Sequence, residues 1–165
     1  MGVSEASIAR LRREYPDIAV LARASGPARP RGGFRAWLHR TFPNWSARRT
    51  GGGPVLAVRV RVEGIRGMRS TARCRYDLIV DTTNLTALLP AVWIAAPPDH
   101  EIRHVNVWPA RNSFCRWSGR KLPSLCWHTY ARGWAEAPPH ARTLGAALEY
   151  AKQLLNTENH DSPAR

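Results

Sequence analysis

The residues best suited to chemistry lie in one stretch, Leu122–Trp134, which reads L-P-S-L-C-W-H-T-Y-A-R-G-W. Cys126 stands near its middle. A cysteine thiolate is a strong nucleophile and forms covalent intermediates with acyl groups. His128, two positions later, could deprotonate an incoming amine or could simply pack near the sulfur. We therefore expect Cys126 to be a nucleophile.

The chain has three cysteines, Cys74, Cys115 and Cys126, and no C-x-x-C pair. An odd number without paired spacing indicates free thiols rather than a disulfide scaffold. A zinc site built from Cys115, Cys126, His104 and His128 is chemically conceivable, but the spacing matches no common zinc pattern. We expect no metal and no cofactor.

A polar pair, His104 and Asn106, precedes Cys126, and nineteen residues lie between Asn106 and the cysteine. A side-chain amide such as that of Asn106 could stabilise the oxyanion formed during acyl transfer, or it could order its own loop. An ordinary turn residue is the remaining interpretation of Asn106.

Regular elements flank these residues. Ser4 can cap a helix over residues 5–15, and Thr143 can cap a final helix whose apolar residues share one stripe. Four segments between them have strand patterns, the middle two forming a hairpin around Gly64 and Gly67. They are Asp17–Ala24, Val55–Val62, Arg75–Thr82 and Ala91–Ala95.

Two segments do not fit this simple plan. Residues 25–53 are rich in Pro, Gly and Arg and form an expected insertion, in which Phe34, Trp37, Leu38 and Phe42 have helical spacing. These aromatics could anchor the insertion on the body or stack on nucleic acid. Pro109–Trp134 lacks periodicity, and such long segments inside a domain are often functional.

The sequence thus predicts one α+β domain over residues 1–165. It consists of an N-terminal helix, an antiparallel meander sheet of about four strands, an irregular active-site segment and a C-terminal helix.

The formal charge is +13, yet 23 of the 25 basic residues are arginine, which codon bias in a GC-rich genome would produce. Charge alone therefore does not favour nucleic acid as a partner. No apolar run is long enough to span a bilayer and no secretory signal is evident, so we expect no membrane association and a cytoplasmic location.

The order of these features resembles the ubiquitin-conjugating enzyme family. That family has a His-Pro-Asn tripeptide, an active-site cysteine, a tryptophan shortly after it, and a helix ending in a Leu-Leu…Pro-Asn…Asp-Pro run. Here His104-Val105-Asn106 matches the tripeptide with one change, L-C-W at 125–127 resembles the cysteine site, and Trp134 follows Cys126 by eight positions. The end L-L-N-T-E-N-H-D-S-P-A is also similar.

The resemblance implies an enzyme that accepts a ubiquitin-like modifier from an activating enzyme as a thioester on Cys126. The modifier then passes to an amine, such as a lysine, of a target protein. By the same resemblance His104 holds its loop through hydrogen bonds. The length suits bacterial relatives encoded in ubiquitin-like conjugation operons, which serve antiphage defence.

One departure concerns spacing, because the family's asparagine lies closer to its cysteine. Cys115, nine residues after Asn106, is the alternative nucleophile, although only Cys126 has Trp134 and the final helix at the family distance. Two other functions remain open: a catalytically inactive binding module of the same fold, and an Arg-rich nucleic-acid-binding protein.

Overall fold

The structure, a computed structural model, describes residues 3–24, 53–67, 69–70, 72–160 and 162–164. Its strands are β1 (Ala19–Arg23), β2 (Val55–Ile65), β3 (Arg73–Asp81), β4 (Val92–Ala96), β5 (Val107–Trp108), β6 (Phe114–Cys115), β7 (Arg120–Lys121) and β8 (Ser124–Leu125). Its α-helices are α1 (Glu5–Leu11), α2 (His128–Glu136) and α3 (Leu144–Asn156), and short 3-10 helices span Asp99–Glu101 and Ala110–Asn112.

Strands β1 to β4 form an antiparallel meander, which β8 and then β5 extend in the order β1-β2-β3-β4-β8-β5. Strands β6 and β7 pair separately as a small hairpin. The α+β class and the antiparallel sheet are therefore as the sequence predicts.

The main core lies on one face of the sheet. Val58 pairs with Val80 and Val60 with Leu78, so that alternate residues of β2 and β3 share this face. All four are buried, whereas Arg59 on the opposite face is exposed. Because side chains alternate across a strand, the period-two pattern of the sequence decided which face is buried.

Helix α3 packs its apolar stripe against this face. Its buried residues are those with helical spacing in the sequence: Leu144, Ala147, Leu148, Ala151, Leu154 and Leu155. Thr143 Oγ1 accepts a 3.2 Å hydrogen bond from the Ala146 N–H, which confirms the predicted cap. Ser4 caps α1 in the same way through the Ser7 N–H.

Helix α1 ends at Leu11, earlier than predicted, and a turn then leads to Tyr15. The Tyr15 ring is buried and its hydroxyl donates to Glu149 Oε1 of α3 at 2.7 Å. Burial of this ring stabilises a non-helical exit, so the tertiary contact outweighs local helical spacing.

The prediction of an irregular segment over residues 109–134 was wrong, and so was the prediction of only about four strands. The segment contains β6, β7, β8 and most of α2. Two-residue strands are too short to show a period. Helix α2 contains Gly133 and several weak helix formers, so its sequence does not predict a helix.

The β6–β7 hairpin covers part of the second sheet face. Cys115 packs there with Ile79 of β3 and Trp93 of β4. Arg116, in the hairpin turn, forms a 2.6 Å ion pair with Asp81 at the end of β3. The hairpin thus packs on the sheet through Cys115 and through the ion pair of Arg116 with Asp81.

The predicted insertion at 25–53, with its aromatic helix at Phe34, Trp37, Leu38 and Phe42, falls almost wholly on residues 25–52, outside the described residues. Within the described part of the chain, no helix combines the length and apolar character needed to cross a membrane.

Candidate functional site

Cys126 lies at the junction between the sheet and helix α2. It follows β8 directly, and Trp127, which occupies the position before α2 without a side-chain cap hydrogen bond, comes next. The cysteine is 6% exposed, so the protein covers most of its side chain. Strand pairing on one side and the helix start on the other hold its backbone in place.

Asn106 and Cys126 are neighbours in space, although nineteen residues separate them in sequence. The Cys126 N–H donates a 2.8 Å hydrogen bond to the Asn106 carbonyl. Beyond this bond, Val107 of β5 pairs with Leu125 of β8. The chain between them leaves β5, forms the β6–β7 hairpin and returns through β8. The two ends of this long segment therefore lie side by side.

The Asn106 side chain points to the end of α3. Its Nδ2 donates to the carbonyls of Leu154 at 3.0 Å and Thr157 at 2.8 Å, and the residue is 1% exposed. These two bonds satisfy carbonyls at a helix end that lack intrahelical partners. The side-chain amide of Asn106 therefore stabilises the fold. The group of Asn106 that bonds to Cys126 is the backbone carbonyl.

His104 is fully buried in the same turn. Its Nδ1 accepts a 3.2 Å hydrogen bond from the Asn106 N–H, so this nitrogen carries no proton in that arrangement. The imidazole thereby orients the Asn106 backbone. Its role as a loop-holding residue remains a prediction, and this hydrogen bond is the observation that supports it.

Cys115, the alternative nucleophile, lies in β6 with no exposed surface. It faces Trp93 and Ile79 on the sheet face opposite the main core. A substrate could reach its sulfur only if the hairpin lifted from the sheet. Of the two candidates, Cys126 is the residue with some exposed surface, 6% against 0% for Cys115.

Cys74 is half-buried near the start of β3 and packs against the main core. Burial raises the pKa of its thiol, and the nearby Arg66 charge offsets part of that effect. A thiol with a raised pKa is mostly protonated at neutral pH and is a weak nucleophile.

Helix α2, which follows the candidate cysteine in the chain, carries aromatic residues that pack on α3. His128 is its first residue, and the structure describes its backbone but not its side chain. Tyr130 stacks on Tyr150 of α3 with ring centroids 4.7 Å apart. Trp134 is buried and meets the same ring edge-on at 5.9 Å, which fixes α2 against α3.

Trp127, which follows Cys126, was quoted in the sequence only as part of the L-C-W motif and was given no role. Its indole N–H is buried and has no hydrogen-bond partner among the described residues. Buried donors usually find a partner, and the indole N–H groups of Trp117 and Trp134 likewise have none among the described residues, so this feature does not by itself mark a site. Only its position beside the cysteine could have drawn attention to it in the sequence.

A metal centre finds no support in the described part of the chain, where no three His, Cys, Asp or Glu residues come close enough together to hold an ion. Comparisons with models of known protein families, with curated proteins and with solved structures found no match.

Proposed function

We propose that the chain is a conjugating enzyme for a ubiquitin-like protein and that Cys126 carries the modifier as a thioester. The partners would be an activating enzyme, the modifier and a protein target with an acceptor amine. The fold of such an enzyme would be the ubiquitin-conjugating type, of which the α+β meander is the coarse outline.

The order of elements supports this proposal. A short helix, an antiparallel meander, a buried His-x-Asn turn, a cysteine before a helix, and a closing helix follow one another in the chain. This is the order that the sequence resemblance implies. A shared order alone does not give chemistry, because one fold can carry different functions.

The single observation that carries the proposal is the 2.8 Å hydrogen bond from the Cys126 N–H to the Asn106 carbonyl. In the sequence, nineteen residues lie between Asn106 and Cys126, more than separate the asparagine and the cysteine in the family. Folding of the hairpin removes that difference, because the turn and the cysteine meet in space.

The reaction would proceed through two acyl transfers. First, the Cys126 thiolate attacks the modifier's thioester carbon; a new S–C bond forms, and the activating enzyme's sulfur leaves as a thiolate and takes up a proton. Then an acceptor amine attacks the same carbon. A C–N bond forms, the bond to Cys126 breaks, and the nitrogen's extra proton passes to solvent or a nearby base.

Asn106 would act in this reaction as a positioning residue. Its amide donates to Leu154 and Thr157 and is not aimed at the sulfur, so ordering of the loop is the role that its contacts support. A buried amide with two carbonyl acceptors holds the turn against α3, and the turn holds the backbone of Cys126 through the Asn106 carbonyl.

The proposal is tested by incubating the purified chain with a ubiquitin-activating enzyme, a ubiquitin-like protein and ATP. We expect an adduct that a thiol reductant cleaves. Cys126→Ser should give a reductant-resistant ester or no adduct, whereas Cys74→Ser should load like the wild type. An unchanged, reductant-labile adduct in Cys126→Ser would show that Cys126 is not the nucleophile and would make Cys115 the candidate.

A second candidate is a non-catalytic binding module of the same fold. The observation that favours it is the low exposure of Cys126, because thioester transfer requires a large acyl group to reach the sulfur. The two are separated by the loading experiment: a binding module would form a complex with the modifier or the activating enzyme without an adduct, and alkylation of Cys126 would not weaken that complex.

A further inference from the structure

The sulfur of Cys126 has to become accessible before it can react, because the residue is only 6% exposed. The chain on its N-terminal side is firmly held. Leu125 pairs with Val107 in the sheet, and the Cys126 N–H donates to the Asn106 carbonyl at 2.8 Å. Of the two segments that adjoin the cysteine, only the C-terminal one, where α2 begins at His128, can move without breaking strand pairing.

The start of α2 lacks the features that stabilise a helix N-terminus. Trp127 occupies the capping position and makes no side-chain cap hydrogen bond with the described residues, and the first turn contains no acidic residue. A polar cap and a nearby carboxylate normally satisfy the free N–H groups at a helix start. Ser4 and Thr143 supply such a cap to α1 and α3. The first turn of α2 therefore depends on tertiary contacts.

Tyr130 provides the tertiary contact of this first turn. Its ring stacks on Tyr150 of α3 with centroids 4.7 Å apart, and its hydroxyl donates to Gln153 Oε1 at 3.3 Å. Ala131, the next residue, is exposed. Of the side chains that the structure describes in the first four residues of α2, Tyr130 is thus the one that packs on α3.

The C-terminal end of α2 is held by more contacts. Arg142 donates from Nη2 to the Ala135 carbonyl at 2.7 Å and from Nε to the Ala137 carbonyl at 2.8 Å. A third bond, from Nη1 to the Thr86 carbonyl at 2.8 Å, joins the same guanidinium to the loop after β3. Trp134 is buried against α3. Because carbonyls at a helix end lack intrahelical partners, Arg142 fixes this end in place.

We infer that α2 opens locally from its N-terminal end and that this opening uncovers the Cys126 sulfur. The first turn unwinds and Tyr130 leaves Tyr150, while Trp134 and Arg142 keep the last turn in place. Folded proteins open in such local units, at a lower free energy than global unfolding, where contacts are few. This α2 opening is a property of the fold and does not require the thioester chemistry. Its effect on loading of Cys126 rests on the proposed function.

The test measures alkylation of Cys126 by iodoacetamide in the full chain, followed by peptide mapping. When the helix recloses faster than the reagent reacts, the rate is proportional to the open population. Ala131→Gly removes one exposed methyl group and should raise the rate about 4- to 5-fold, because glycine weakens a helix by that factor. The matched control is Ala135→Gly, the same change at an exposed position in the anchored last turn, which should alter the rate little.

A second pair of variants tests the contact between Tyr130 and Tyr150. Serine has a helix propensity similar to that of tyrosine, so Tyr130→Ser removes the ring without favouring the helix. It should raise the alkylation rate of Cys126 by about 2- to 12-fold, the factor that corresponds to loss of an aromatic pair. Tyr130→Phe keeps the ring and should react like the wild type. Urea unfolding verifies that each variant is folded.

Equal rates in Ala131→Gly and Ala135→Gly would overturn the inference, since access would not depend on the N-terminal end of α2. So would an alkylation rate of Cys126 that rises with urea as steeply as global unfolding, because the steepness reports how much surface becomes exposed. A rate that is nearly independent of urea below the unfolding transition supports local opening. The assay contains no modifier, so a chain that shows this behaviour but fails to load would refute the proposed function and leave the α2 opening intact.

Discussion

The backbone N–H of Cys126 donates a 2.8 Å hydrogen bond to the carbonyl of Asn106, so that two residues far apart in sequence are held side by side. The Asn106 amide, in turn, donates to the carbonyls of Leu154 and Thr157 at the end of α3. One buried asparagine therefore joins the loop of the candidate cysteine to the closing helix.

We expect Asn106→Ala to destabilise the fold by about 2–3 kcal/mol, because it leaves the buried Leu154 carbonyl and the partly buried Thr157 carbonyl without this donor. The control is Asn112→Ala in the exposed 3-10 helix, which should change the free energy of unfolding by less than about 0.5 kcal/mol. Urea denaturation measures both. A loss in Asn106→Ala no larger than in the control would show that water replaces the amide.

The three thiols should react with an alkylating reagent in the order of their exposure: Cys74 first, then Cys126, then Cys115. Burial raises the pKa of Cys74, so its rate should continue to rise with pH above neutrality as the thiolate forms. Intact-protein mass spectrometry with peptide mapping follows each site. Early modification of Cys115 would mean that the hairpin leaves the sheet readily.

The contact between Tyr15 and Glu149 should give the fold a pH dependence. The Tyr15 hydroxyl bond lowers the pKa of Glu149 below 4.5, with burial opposing it and Lys152 adding to it. A carboxyl whose pKa is lower in the folded state stabilises the fold at a pH above its pKa in the unfolded state. This contribution disappears as the pH falls through the pKa of the folded state. The Glu149 side chain is 44% exposed, so solvent screening keeps the effect below about 1 kcal/mol.

Tyr15 itself gives a second window, on the alkaline side. Burial first, and then Glu149, raises the pKa of the Tyr15 hydroxyl above its ordinary value of 10. Its contribution to stability is therefore fully present below pH 10 and is lost as the pH rises through the raised pKa of the folded state. Tyr15→Phe should lower stability by about 1 kcal/mol at neutral pH and by less at an acid pH below the lowered pKa of Glu149, where the carboxyl is protonated. Chemical denaturation at the two pH values checks this; an equal loss at both would show that Glu149 is not coupled to Tyr15.

Two glycines should respond in opposite directions to replacement by alanine. A Cβ on Gly64 of β2 would lie 2.5 Å from the Leu155 carbonyl oxygen, a backbone atom that cannot move cheaply, so Gly64→Ala should cost more than about 2 kcal/mol. A Cβ on Gly133 of α2 meets nothing within 4 Å, and Gly133→Ala should stabilise the helix by up to about 1 kcal/mol. Thermal unfolding measures both shifts. A neutral Gly64→Ala would mean that α3 packs less closely on β2 than described.

Elements with strong local patterns could be predicted from the sequence. The alternation of β2 and β3, the two helix caps and the stripe of α3 depend on neighbours one to four residues apart, so the chain itself contains the information. The stripe was confirmed residue by residue. The candidate Cys126 and the His104–Asn106 turn could also be chosen from residue type and order, although their function remains a proposal.

Only the tertiary structure decided how the segment between Asn106 and Cys126 closes. Strands β5 to β8 are two residues long, so they exist only because long-range pairing and apolar burial hold them, and no period could reveal them. The same holds for the side-chain partners of Asn106, the burial of Cys115 and the exposure of Phe114. Residue type and order in the sequence identified the cysteine and its turn as candidates. Packing between distant parts of the chain brought the two together and left Phe114 of the hairpin exposed.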